Sequence, residues 1–210
     1  MDVSEAILKR TSIRKWKPIR VEKEKIEKVL EAGRRAPSWG NSQPWRFIVV
    51  QDKDKKAGLA KAAGGQPVVR DAPAVIVCCC SIDDFSRKMQ RQALKELMDV
   101  GALNWTDEIL DNVVLESDLF APYRLGEQAM AIKAGEQIMI AIAYMTVDAV
   151  NQGLGTCWVG AMSPKDVGQV MGLPDNLFAH DLIPLGYADE DPKPRPRKSI
   201  DKIAFWEEYS

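Results

Sequence analysis

Two short stretches concentrate groups able to hold a polar ligand. Residues 10–14, RTSIR, place two guanidiniums (Arg10, Arg14) and two hydroxyls (Thr11, Ser12) within five positions. Residues 36–47, APSWGNSQPWRF, gather Ser38, Asn41, Ser42 and Gln43 behind Pro37 and run directly into an apolar segment. Charged and amide side chains beside a strand are either solvated or bound to a ligand with several hydrogen-bonding edges. Arginines this close point to an anion, because a guanidinium meets a phosphate with a two-pronged fork. A further basic run, KPRPRK at 193–198, adds Arg195 and Arg197 in an extended Pro-rich segment. Taken alone, that run also reads as a solvated linker.

Groups that catalyse unaided are scarce. The one histidine, His180, lies in an apolar run and reads as a core or surface residue rather than a base. The patterns GxSxG, HExxH, GxGxxG and the P-loop are absent. An enzyme so equipped must take its reactivity from a bound cofactor. Three of the four cysteines are consecutive, Cys78 to Cys80, with no CxxC spacing for zinc or a cluster. They read as reduced thiols of a buried strand, the usage of a cytoplasmic protein. The opening MDVSEAILKR is charged and has no apolar h-region, so no leader is expected there. A formal net charge of −1 gives no reason to expect nucleic acid or an anionic membrane as partner. The uncharged apolar stretch 137–147 is shorter than a bilayer span.

The elements that must position these groups follow from periodicity. Helices are expected at 3–10, with Ser4 as a candidate cap, and at 22–34, where Ile26, Val29, Leu30 and Gly33 share one face. Residues 47–51 read as a strand and 53–63 as a polar helix. The run 74–81, AVIVCCCS, lacks alternation and reads as a central strand buried on both faces. Residues 127–152 form the longest expected helix, and it is apolar nearly all round between Ile138 and Met145. A helix with no polar face must be covered on every side, which at this chain length points to a partner chain as well as a sheet. Gly153 and Gly155 stop it, a strand follows at 156–159, and Ser163-Pro164 opens a short helix. A last strand is expected at 180–187.

RTSIRKW, PSWGNSQPWRFIVV, GLGTCWVGAM and LGYADEDPKPRPRKS occur in that order across nearly the whole chain. Together they resemble the nitroreductase family of FMN-dependent oxidoreductases. The resemblance implies an α+β fold, with a central, mostly antiparallel sheet flanked by helices and the long helix at a dimer interface. It implies one domain over 1–210, with a variable helical insertion at about 83–126 and a C-terminal extension at about 191–210. The insertion is either a cover over the substrate side of the flavin or a helical pair on the outside of the dimer.

The resemblance also implies a homodimer, with FMN between subunits and NAD(P)H as co-substrate. The acceptor is a small nitroaromatic- or quinone-like molecule reduced in ping-pong order. Reductive dehalogenation, flavin fragmentation and a non-catalytic flavin or redox-sensing module remain alternatives on the same fold. Arg10, Arg195 and Arg197 are expected on the phosphate, with Thr11 beside them and Ser12 on the phosphate or ribityl chain. Charge-assisted hydrogen bonds of this kind contribute about 1.5–3 kcal/mol each. Arg14 is expected along the N1/O2 edge of the ring, where a cation stabilises reduced flavin. Pro37, Ser38, Asn41 and Gln43 are expected to reach the flavin partly from the opposite subunit. Trp158, Val159, Gly160 and Ala161 are expected to lay backbone against the ring, with Gly160 the donor to N5. Where some relatives have an acidic residue, this chain has WVGAM.

Overall fold

A strand buried along its whole length organises the molecule. In the computed structural model, which describes residues 1–118 and 120–209, Ala74–Ser81 (β2) is buried at all eight positions. Leu119, in the predicted insertion, and Ser210, at the end of the predicted extension, lie outside the described residues. Alternate β2 side chains enter two different cores. Ala74, Ile76, Cys78 and Cys80 face one, and Val75, Val77 and Cys79 face the other. This explains the cysteine run, since successive residues of a strand point to opposite faces. All four cysteines are free and buried.

In chain order the elements begin with helix α1 (Val3–Lys9), α2 (Lys23–Arg34) and strand β1 (Trp45–Val50). Helices α3 (Lys53–Ala62) and α4 (Pro67–Arg70) lead into β2, and α5 (Arg87–Asp99) and α6 (Asp107–Ile109) follow it. Then come α7 (Glu127–Asn151), β3 (Gly155–Thr156), α8 (Pro164–Met171) and β4 (Leu177–Gly186). The sheet runs β1-β2-β4-β3 and every named pairing is antiparallel, so the fold is α+β.

Helix α7 lies on one face of the sheet beside α2, burying Ala134, Ile138, Ala141, Ile142, Met145 and Ala149. Gly33 of α2 lets the two helices meet closely, because a Cβ there would lie 2.7 Å from Met145. At 25 residues α7 is long and apolar enough to cross a membrane, beyond what its uncharged core alone suggests, yet one of its apolar sides is spent on the sheet. Helices α3, α4 and α8 cover the other face.

Several boundaries differ from expectation for local reasons. The cap of α1 is Asp2, whose carboxylate accepts from Ser4 N at 2.9 Å, not Ser4 itself. Strand β1 begins two residues earlier than 47, because Trp45 pairs with Cys80. Helix α3 is not simply polar, since Leu59 and Ala60 are buried. The strand expected at 156–159 is regular only at Gly155–Thr156 and continues as a single bridge between Val159 and Leu182. Strand β4 starts at Leu177, not at His180. The 83–126 segment is helical, with a small apolar cluster of its own formed by Leu94, Leu110, Val114 and Leu115. It is also anchored to the main core, where Phe85 is fully buried and stacks near Trp39 at 6.3 Å.

Candidate functional site

The RTSIR stretch forms the outer border of the sheet. Ser12 bridges Thr156 in parallel, and Ile13 N donates to Thr156 O at 2.9 Å. Gly155 permits this contact, since a Cβ there would lie 2.6 Å from Ile13 Cγ1 and 2.9 Å from its Cβ. Ile13 is buried, so its neighbours Ser12 and Arg14 are held on the other side of the extended backbone. Both reach toward Cys157: burial pushes that thiol up, while the Arg14 guanidinium and the Ser12 hydroxyl draw it down. Arg14 N also donates to the Glu190 carboxylate, which Lys15 N reaches at 3.2 Å.

Arg10, Thr11, Arg195 and Arg197 line one cleft of about 660 Å³ together with Lys9 and Asp191. The structure thus brings the tail arginines to the RTSIR stretch. Among the described residues no carboxylate pairs with Arg10, Arg14, Arg195 or Arg197, whereas Arg46, Arg91 and Arg124 each reach one within 3.0 Å. Thr11 Oγ1 is buried without a hydrogen-bond partner. Buried polar atoms are ordinarily satisfied, so this hydroxyl is available to a ligand in the cleft.

Trp158, Val159, Gly160 and Ala161 continue along the same border. Val159 and Leu182 exchange two backbone hydrogen bonds at 3.0 Å, and Ala161 O accepts from Gln66 Nε2 at 3.3 Å. Val159 is buried, while Trp158, Gly160 and Ala161 face outward. Arg10 to Arg14, 158–161 and the tail arginines therefore make up one continuous half of the predicted set.

Pro37, Ser38, Asn41 and Gln43 are elsewhere. Asn41 and Gln43 have positive φ, 56° and 45°, a conformation that costs about 1–3 kcal/mol outside glycine. The strain is held by Ser38 Oγ, which accepts from Gln43 N at 3.0 Å, and by Gln43 Nε2 donating to Asn41 Oδ1 at 3.1 Å. Trp39 N donates to Gln137 Oε1 of α7 at 2.8 Å. Ser42, absent from the expected set, has a buried Oγ with no partner. No spacing rule singles it out from Ser38; only the folded loop does.

The two halves do not meet within one chain. The loop precedes β1, whose Trp45 lies in register with Cys80 and, through it, Phe178 at one end of β4. Ser12 is attached through Thr156 to Leu185 at the other end of β4. At about 4.8 Å per strand and 3.3 Å per residue, four strand spacings and the length of β4 put roughly 30 Å between Ser12 and Trp45.

A sequence model of the Nitroreductase family matches residues 7–187. The chain is 31% identical to a protein named NADH dehydrogenase from Thermus thermophilus, over 98% of this chain and 96% of the relative. It is 30% identical to an FMN reductase [NAD(P)H] from Bacillus subtilis, covering 99% of this chain and 74% of that protein. Among solved structures it resembles a nitroreductase family protein from Streptococcus pneumoniae, with a TM-score of 0.77 and 26% identity, over 98% of this chain and all of that one. The chain belongs to the nitroreductase family.

Proposed function

We propose that the protein is an FMN-dependent NAD(P)H oxidoreductase whose cofactor site is completed by a second copy of the chain. The observation that carries this reading is the roughly 30 Å between the RTSIR stretch and the β1 end of the Ser38–Gln43 loop in one chain. Two copies related by a twofold axis bring each half against the other's complement, giving two equivalent sites. Uncovered apolar side chains on α1 and α7 support such a pairing: Ile7, Leu8, Ile132, Met139 and Tyr144 are all exposed.

The residues present fit FMN. The guanidiniums of Arg10, Arg195 and Arg197, none of them paired with a carboxylate among the described residues, suit a phosphate beside the Thr11 hydroxyl, with Ser12 next along the ribityl direction. Arg14 supplies a cation for the pyrimidine edge of the ring. The outward-facing Gly160 leaves its backbone open to close approach. When bound, the flavin supplies hydride transfer from NAD(P)H to a small nitroaromatic- or quinone-like acceptor, in ping-pong order. The relatives' names, NADH dehydrogenase and FMN reductase, agree with this chemistry.

A subunit-complementation experiment tests the shared site. One chain carries Arg10→Ala with Arg195→Ala, the other Asn41→Ala with Gln43→Ala, and the two are co-expressed and purified as a mixed pair. The mixed dimer regains one intact site and binds one FMN per two chains. If every site stays defective in the mixture, both halves serve within one chain and the shared-site reading is wrong.

A further inference from the structure

The chain's single histidine is housed by three departures from regular structure. The register between β2 and β4 shifts at His180: Cys78 pairs with Asp181 and Cys79 with Ala179, leaving His180 as the extra residue. A bulge re-aims a side chain, and here it sends His180 to the same face as Asp181, the face covered by α7. His180 Nδ1 lies 2.6 Å from Asp181 Oδ2. The second departure is Gly135, inside α7, where a Cβ would come within 2.8 Å of His180 Nε2. Glycine in a helix interior costs stability, so the imidazole's seat is built at some expense. The third is Gly160, where a Cβ would meet Asp181 Oδ1 at 2.9 Å.

Asp181 is only 3% exposed, and a buried carboxylate needs a partner. His180 is the one side chain among the described residues that bonds to it, and the imidazole, 29% exposed, links it to solvent. The other titratable groups nearby are few. Cys78 of β2 faces Asp181, its thiol pushed well up by burial and, second, by that carboxylate. On α7 the adjacent charges, Lys133 and Glu136, are paired with each other at 2.7 Å. The 158–161 segment brings no charged side chain.

We propose that His180 and Asp181 are a positioning dyad for Gly160. The imidazole orients the carboxylate. The carboxylate packs beneath the 158–161 backbone and fixes the place from which it meets the flavin, with a titratable pair directly behind that contact. The dyad rests on the flavin reading above.

One histidine gives one imidazole spin system, so nitrogen-detected NMR of the labelled parent follows it without ambiguity. Spectra are recorded at one fixed pH with and without saturating FMN. The ring should carry a proton on Nδ1, toward Asp181, and bound FMN should shift the His180 nitrogen signals. Asp181→Asn should change the tautomer and weaken FMN binding severalfold. Gly160→Ala, which adds a methyl against Asp181 Oδ1, should shift the His180 signal even without flavin. Bound FMN with unmoved His180 signals overturns the dyad alone, as does an unmoved signal in Gly160→Ala. A parent that binds no FMN overturns both readings, and its colourless visible spectrum shows this before any NMR.

Discussion

Substituting Gly155 by alanine tests how the RTSIR stretch is held. The new Cβ would lie 2.6 Å from Ile13 Cγ1 and 2.9 Å from its Cβ, about 1 Å inside ordinary carbon contact. Ile13 is 6% exposed and cannot swing into solvent without exposing its side chain. It must therefore retreat from β3 and stretch the Ile13 N to Thr156 O bond, 2.9 Å in the parent. Overpacking of this kind costs about 1–3 kcal/mol and a weakened backbone hydrogen bond about 1 kcal/mol. The lower entropy of the unfolded alanine chain returns about 0.4–1 kcal/mol. A net loss of about 1–3.6 kcal/mol corresponds to a Tm lower by roughly 2–14 °C at this chain length. The same retreat displaces Ser12 and Arg14, and the loss of one charge-assisted bond weakens FMN binding about tenfold or more. Differential scanning calorimetry and fluorescence titration of FMN measure the two effects. Gly153→Ala is the control: its φ of 75° strains alanine, but nothing lies within 4 Å, so it should lower Tm without altering FMN affinity. Parental Tm and FMN affinity in Gly155→Ala would refute the reasoning.

Four other outcomes follow from the same geometry. Arg195→Ala combined with Arg197→Ala should release FMN on gel filtration while leaving the elution volume of the protein unchanged, and retained flavin would count against the phosphate assignment. Arg14→Ala should lower the flavin potential, measured by dye equilibration. Because Arg14 is exposed, the expected effect is about 1 kcal/mol, near 20 mV for two electrons. The thiols should resist a disulfide reagent at pH 8 until the protein unfolds, since burial pushes Cys79 up to about 12 and raises Cys78, Cys80 and Cys157. Glu31, held down at about 2 by hydrogen bonds from Arg34 and then Arg35, favours folding above its ordinary value of 4.5, and that contribution fades as pH falls toward 2. Glu31→Gln should therefore flatten the acid limb of a stability-against-pH curve.

The parts of the fold legible in the sequence are those written in local pattern. An unalternating apolar run made β2 recognisable, and an all-round apolar stretch made α7 recognisable, because burial on every side leaves that mark regardless of partners. The Ser163 cap was equally plain, with its hydroxyl accepting from Asp166 N at 3.3 Å. What escaped depends on contacts distant in sequence. Gly155 read only as a helix stop, yet its missing Cβ seats Ile13, 142 positions earlier. His180 read as an ordinary core or surface residue, because its pairing with Asp181 requires a register shift that β2 imposes. The motif residues were identified as a set, but nothing in their order reveals that Ser38–Gln43 and RTSIR stand at opposite corners of the sheet.

The most direct test of the account is the visible spectrum of the purified protein, recorded anaerobically before and after NADH and then NADPH. A bound flavin band that bleaches with either donor is the predicted result. A colourless protein that also fails to take up added FMN would contradict it.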